Sequence, residues 1–184
     1  MDVPPPTIET DGFVDRFHEV RAMIDSFNQY YAENNQPTWL NCLDELMSTW
    51  LNKFFPGFMC VPRKPHPFGN EYHTIADGYG LGKPILWRIK LVEGKDRPKK
   101  PDRTWAFPTK WEKKGYSNTV KLLMDMTEPL HHTGKVVTGD SGFCVAQGVT
   151  ALHQAGVHEQ FLIKKRRYWP KHVPGDHIDG HMMQ

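Results

Sequence analysis

Two carboxylate positions, far apart in the chain, are the residues whose types best suit chemistry. Asp44 follows a short apolar run and precedes Glu45, and Asp140 follows the β-branched run 136–138. Both patterns predict an aspartate carried to the end of a β-strand. Carboxylates on rigid elements suit Mg²⁺, and two ions about 3.5–4 Å apart stabilise the attacking and leaving oxygens of phosphodiester chemistry. On spacing alone, a surface turn after each strand is the commoner explanation.

The elements around these positions predict an α/β fold with a mixed sheet. An amphipathic helix precedes the first strand, with apolar residues at helical spacing: Phe13, Phe17, Val20, Ile24, Phe27 and Tyr31. Strands are predicted at 39–43, 58–61, 72–76, 85–92, 135–138 and 160–163. Helices are predicted at 119–128 and around 145–152, with a long loop at 94–118. A meander followed by helix, strand, helix and strand is typical of an α/β sheet.

Composition limits the class of protein. The 184 residues suit one domain, and 39% hydrophobic with 12% aromatic residues is enough for a core. A formal net charge of +2 means that any nucleic-acid surface is local. The widely spaced Cys42, Cys60 and Cys144 fit neither zinc spacing nor a disulfide framework, which favours a reducing compartment. No apolar stretch is long enough to span a membrane, so we expect an intracellular protein without a membrane partner.

The order of several short motifs resembles the catalytic domain of piggyBac-type transposases over about residues 15–170. The motifs are the helix 20–28, Asp44-Glu45, Pro62-Arg63-Lys64-Pro65 with Gly69, Asp77-Gly78, Glu93-Gly94 and Asp125-Met126-Thr127-Glu128-Pro129-Leu130. The resemblance implies a ribonuclease H-like mixed sheet flanked by helices and incomplete at the C-terminus. That domain would occupy residues 12–170, between an extended tail at 1–11 and a flexible tail at 171–184.

The same resemblance implies roles for the two aspartates. Asp44 would be the first and Asp140 the second catalytic aspartate, holding Mg²⁺ or Mn²⁺ for DNA strand cleavage and transfer. The family has Phe-Asp-Asn-Phe-Phe around its second aspartate, whereas 139–143 here reads Gly-Asp-Ser-Gly-Phe. The family's third aspartate is not found, because Asp176 and Asp179 follow the last strand too closely and are interpreted as surface residues.

These features predict a transposase fragment that is inactive alone, and they leave enzymatic activity open. The alternative is a non-catalytic, domesticated module associated with DNA, or a fragment without a present function. DNA is the expected partner, with a homo-oligomer as a further expectation and a nuclear or otherwise intracellular location. A basic run beside two aromatic residues is predicted to contact DNA phosphates. The run consists of Lys164, Lys165, Arg166 and Arg167. The alternative is that these residues are a solvated exit from the last strand.

A second class of chemistry is suggested by Ser141. The segment Gly139-Asp140-Ser141-Gly142 resembles the nucleophile loop of trypsin-like proteases, which would make Ser141 a hydrolase nucleophile. That family continues with a further glycine, where this chain has Phe143, and it needs an upstream Ala-Ala-His-Cys segment that this chain lacks. The sequence therefore favours the aspartate pair over the serine.

Overall fold

The chain forms a six-stranded mixed sheet with helices packed against it, in the order α1, β1–β4, α2, α3, β5, α4, β6. The structure, a computed structural model, describes residues 17–54, 56–78, 84–93, 109–112 and 114–163. The helices are α1 (His18–Asn34), α2 (Thr109–Glu112), α3 (Asn118–Met126) and α4 (Ala146–Gln154). The strands are β1 (Leu40–Thr49), β2 (Met59–Cys60), β3 (Phe68–Asp77), β4 (Ile85–Leu91), β5 (Val136–Gly139) and β6 (His158–Phe161). The predicted α/β class is confirmed.

The sheet combines an antiparallel meander with a parallel half. Its strands run β2-β3-β1-β5-β6, and β4 also pairs with β3. The pairs β1–β3, β2–β3 and β3–β4 are antiparallel, whereas β1–β5 and β5–β6 are parallel. β1 is therefore the strand at which the two halves meet.

The core lies between the sheet and the helices α3 and α4. It contains large apolar side chains from both layers: Leu43, Ile75, Trp87, Val120, Leu123, Met126, Val137, Leu152 and Val157. The buried Asn41 side chain links β1 to this core, because its Oδ1 accepts a hydrogen bond from Trp87 Nε1 at 3.1 Å. Its Nδ2 donates to the Thr38 carbonyl at 3.1 Å. A buried amide with both ends bonded fixes β1 against its neighbours.

The helix α1 covers the outer edge of β4. The Asn28 amide meets the backbone of Ile89 twice, donating to its carbonyl at 2.8 Å and accepting from its N–H at 2.9 Å. Arg21 pairs with the buried Glu93 at 2.9 Å just beyond β4. Lys90 pairs with the buried Asp125 of α3 at 2.7 Å. β4 is therefore tied to both α1 and α3.

Several predicted boundaries differ from the observed ones. β1 runs on to Thr49 instead of ending at Leu43, because β3 pairs with it along its whole length. β6 begins at His158, two residues before the prediction, where the register with β5 places it. The short helix α2 lies within the predicted loop. α3 begins at Asn118, one residue before the predicted start, and the Ser117 hydroxyl caps it by accepting from the Val120 N–H.

The predicted tails at 1–11 and 171–184 lie outside the described residues. No helix in the described part of the chain is long and apolar enough to cross a membrane.

Candidate active site

Asp44 and Asp140 lie at the same level on neighbouring parallel strands. The pairing of β1 with β5 ends where Leu43 lies opposite Gly139, and each aspartate is the next residue. Residues in register point to the same face of a sheet, and both aspartates are exposed. Asp44 lies in β1 and Asp140 directly follows the adjacent parallel strand β5, which confirms the predicted strand arrangement. That the two carboxylates are close enough to share a metal, and that they are catalytic, stay predictions. The sequence predicts that Asp44 ends its strand. In the structure Asp44 lies inside β1 instead, because β1 continues to Thr49.

The backbone of β1 has an open edge directly after Asp44. The Val136 N–H donates to the Trp39 carbonyl at 2.7 Å, so this carbonyl points to the β5 side. Backbone groups alternate between the two neighbouring strands, so the N–H and C=O of Glu45 point to the β5 side as well. β5 has already ended at this level. Of these two backbone groups, the Glu45 N–H donates a hydrogen bond to Asp44 Oδ1 at 2.7 Å.

Asp140 has a matching local arrangement. Its Oδ1 accepts a hydrogen bond from the Gly142 N–H at 2.7 Å, which turns the chain away from β1. A Cβ at position 142 would lie 2.9 Å from this same oxygen, so glycine permits the close approach. A Cβ at position 139 would lie 3.0 Å from the Phe161 ring and 3.1 Å from the Leu43 carbonyl. The glycines flanking Asp140 therefore let the segment pack tightly against β1 and β6.

The aspartate pair suits a hard divalent cation. Each carboxylate uses Oδ1 for a neighbouring amide, and neither Oδ2 accepts a hydrogen bond from any described residue. Oxygen donors at one level of a rigid sheet match what Mg²⁺ and Mn²⁺ prefer. Across the described residues no group of three or more His, Cys, Asp or Glu side chains is arranged to hold a metal ion. The described chain thus offers two carboxylate ligands.

The neighbouring Cys42 thiol lies on the same face of β1 as Asp44. Burial raises the pKa of Cys42, and the charge of Asp44 raises that pKa further. The thiol is therefore neutral at physiological pH, and a neutral thiol is a poor metal ligand. Cys42, Cys60 and Cys144 are free thiols in the structure.

A charged cluster lies on the other face of β1, beginning at Glu45. The Glu45 carboxylate accepts a hydrogen bond from Arg63 at 2.6 Å and lies 3.7 Å from Lys64 Nζ. His73 lies directly opposite Glu45 on β3, and Glu71 is two residues before it on the same face. The segment 61–67 between β2 and β3 is therefore attached to β1 immediately beside Asp44.

Burial and charge set the protonation of this cluster. Burial raises the pKa of Glu71, and the charge of Glu45 and a hydrogen bond with Glu45 raise it further, against the opposing effect of Lys64 and Arg63. Burial lowers the pKa of His73, which Glu45 opposes. The folded chain therefore favours the neutral form of the His73 imidazole and binds a proton at Glu71 more readily than a free glutamate does.

Sequence reasoning missed the role of this cluster. The segment Pro62-Arg63-Lys64-Pro65 was noted only as a motif, and the contact of Lys64 with Glu45 spans 19 positions. The alternation of residues along β1 could have indicated this cluster, because Glu45 falls on the same side of the strand as the buried Asn41 and Leu43. A charged residue at an inward position requires a partner of opposite charge.

The remaining sequence predictions concern residues other than the aspartate pair. The basic run Lys164–Arg167 lies outside the described residues, as do Asp176 and Asp179. Ser141 makes no hydrogen bond with any described residue, so no histidine there activates it and the hydrolase alternative gains no support.

Comparison with known proteins places the domain in a family. The family model described as Transposase IS4 matches residues 6–183. The chain belongs to this transposase family. The transposase chain is also similar to a solved structure described as a cryo-EM structure of piggyBac transposase synaptic complex with hairpin DNA, with a TM-score of 0.64 and 16% sequence identity. A search of curated proteins finds no match.

The structural match confirms the fold that the sequence predicted. It covers 88% of this chain and 30% of the piggyBac chain, so the transposase chain described here spans less than a third of its structural neighbour. The ribonuclease H-like mixed sheet and the resemblance to piggyBac-type transposases are both confirmed.

Proposed function

We propose that this chain is the part of a piggyBac-type transposase domain that carries two of the divalent-metal ligands, Asp44 and Asp140. The observation that carries the proposal is the register of β1 with β5, which brings residues 96 positions apart to one level of the sheet. The membership of the transposase family and the local bonding of each carboxylate support it.

The chain's own residues supply orientation. The Glu45 N–H and the Gly142 N–H each hold one carboxylate oxygen, which leaves the second oxygen of each aspartate for a ligand. A bound Mg²⁺ or Mn²⁺ would supply Lewis-acid polarisation of a phosphodiester. Two carboxylates leave part of a two-ion centre without protein ligands. The described segment is therefore proposed to bind a divalent ion weakly and not to cut DNA by itself.

Metal binding and nicking test this proposal together. Mn²⁺ binding to the full chain is measured by electron paramagnetic resonance, and plasmid nicking is measured in the same buffer. We expect weak binding without nicking in the wild type, and no binding in Asp44→Ala or Asp140→Ala. Asp25→Ala, an exposed position on α1, is the matched control and should bind as the wild type does. Robust nicking by the wild type, lost in the double variant, would contradict the proposed inactivity.

DNA association is proposed for the basic run Lys164, Lys165, Arg166 and Arg167, in line with a nuclear or otherwise intracellular site of action. The structural neighbour was solved in complex with DNA, which supports DNA as the partner here. Four phosphate contacts would give a log–log salt slope of about −3.6, and engagement of about half of these residues gives the expected value of about −2.

Binding of unrelated duplexes at several salt concentrations tests this contact. Replacing all four basic residues with alanine should flatten the slope and weaken all duplexes equally. Binding without nicking that depends on these four residues would favour the non-catalytic module, whereas unchanged binding in the quadruple variant would rule the run out. Sedimentation of the same samples reports whether the chain forms the proposed homo-oligomer.

A further inference from the structure

The open edge of β1 beside Asp44 is closed by a side chain from a distant segment. The C=O of Glu45 points to the side on which β5 has ended, so no strand amide reaches it. Lys64 Nζ donates to this carbonyl at 2.9 Å. A lysine ammonium thus occupies the position that the next amide of a longer β5 would take.

The Lys64 ammonium is placed there by its own loop. The turn between β2 and β3 is closed by the Val61 N–H donating to the Pro67 carbonyl at 2.7 Å, and by the Lys64 N–H donating to the Val61 carbonyl at 3.0 Å. The Lys64 side chain is only 20% exposed, whereas that of its neighbour Arg63 is 64% exposed. Lys64 is therefore directed inward at β1, and Arg63 contacts only the Glu45 carboxylate.

This contact fixes the peptide groups around Glu45. The peptide that follows Glu45 is held by Lys64, and the one that precedes it donates its N–H to Asp44 Oδ1. On the other side of the strand, Thr74 Oγ1 donates to the Asp44 carbonyl at 3.2 Å. Thr74 and the Asp44 carboxylate therefore hold the peptide before Glu45, and Lys64 holds the peptide after it, so the Glu45 backbone is restrained from both sides.

We propose that Lys64 is a positioning residue for the metal pair: by holding the Glu45–Leu46 peptide it restrains the Glu45 backbone and, through it, the preceding peptide, whose N–H is bonded to the Asp44 carboxylate. This inference rests on the proposed function for its effect on metal affinity. Removing a residue that orients a metal ligand commonly weakens metal affinity by about 10–100-fold. Lys64 contacts neither carboxylate of the pair in this scheme and acts only through the β1 backbone.

The chain provides a matched pair of substitutions for the test. Lys64→Met removes the donor to the Glu45 carbonyl and one cation beside the Glu45 carboxylate. Arg63→Met removes a cation from the same carboxylate and leaves the carbonyl bond intact. Lys64→Arg keeps a donor of similar reach.

Mn²⁺ affinity is measured by electron paramagnetic resonance in the full chain. We expect Lys64→Met to weaken binding about tenfold, Arg63→Met to remain within about twofold of the wild type, and Lys64→Arg to recover most of the loss. Circular dichroism melting of each variant shows whether it is folded. Equal losses in Lys64→Met and Arg63→Met would overturn the inference, because the effect would then come from charge alone.

Hydrogen exchange separates this inference from the proposed function. In metal-free protein, the Glu45 amide should exchange several-fold faster in Lys64→Met than in Arg63→Met, since the Glu45 backbone is then no longer held at its carbonyl. A wild type that does not bind Mn²⁺ would contradict the metal pair, while the exchange result would still decide the positioning role. Unchanged exchange of the Glu45 amide in Lys64→Met would overturn that role whatever the metal does.

Discussion

The two halves of β1 differ in how many strands they pair with. Among the described strands, Asn41–Leu43 pairs with β3 on one side and β5 on the other, whereas Asp44–Thr49 pairs with β3 alone. The first half buries Asn41 and Leu43, and the second half leaves every residue at least partly exposed. Where β5 ends, side chains instead of a neighbouring strand bond the β1 backbone: Asp44 bonds the Glu45 N–H and Lys64 bonds the Glu45 carbonyl. The candidate site lies at this point of the strand. Stability and chemistry are thus divided between consecutive halves of one strand.

The largest expected contrast comes from truncating one leucine in each half. Leu43 is fully buried in the core, so Leu43→Ala should reduce the free energy of unfolding by about 3 kcal/mol. Leu46 is 50% exposed, and Leu46→Ala should cost less than about 1 kcal/mol. Urea unfolding measures both. Equal losses would show that the second half is as tightly packed as the first.

Removing the buried amide of the first half should have the next largest effect. Asn41→Ala leaves Trp87 Nε1 buried without its acceptor, which should cost about 2 kcal/mol. Ser48→Ala in the exposed half is the control and should change stability by less than about 0.5 kcal/mol. Chemical denaturation followed by tryptophan fluorescence reports both values, and an effect of Asn41→Ala no larger than the control would refute this role of Asn41.

Position 139 tests the boundary between the halves. A Cβ there would crowd the Phe161 ring and the Leu43 carbonyl, so Gly139→Ala should destabilise the chain by about 1–2 kcal/mol. At Gly78 a Cβ would meet Leu40 only at 3.6 Å or beyond, so Gly78→Ala is the matched control. Thermal melting that shows the same change for both variants would mean that β5 can move away from β1 at no cost.

The smallest expected effect is a pH dependence in the second half. The raised pKa of Glu71 means that the folded chain holds this proton more tightly than the unfolded chain does. Stability from Glu71 is therefore complete below its ordinary pKa and is lost as the pH rises through the raised value. Glu71→Gln removes the titration, so its melting temperature relative to wild type should be higher at pH 7 than at pH 4. The opposite trend would contradict the assigned direction.

Local patterns sufficed to predict the first half of β1 but not the second. Asn41 and Leu43 stand in an apolar run with turn residues before it, so the strand and the position of Asp44 could be read from neighbouring residues. The second half has Glu45 at an inward position, which breaks the apolar alternation of a half-buried strand. Glu45 is tolerated at this position because β3 pairs with β1 and because Arg63 and Lys64 neutralise its carboxylate. Neither contact can be predicted from the residues next to Glu45 in the sequence.

The candidate site shows the same limit. The two aspartates could be named from their strand-end patterns, with support from the transposase resemblance. The peptide hydrogen bonds that orient them depend on where β5 stops relative to β1, and that is a property of the assembled sheet. The helix α2 was missed because four residues in a Pro-rich stretch carry too little periodicity to be recognised.

The amide of Asn28 has a consequence for how this protein behaves among copies of itself. An uncovered outer strand offers a row of donors and acceptors on which another chain can add a strand, and this is a common start of fibrous aggregation. By bonding both backbone groups of Ile89, one asparagine on a helix takes the place of a second neighbouring strand, which β4 does not have among the described residues. The α1 helix thereby protects the sheet against growth by strand addition at this edge.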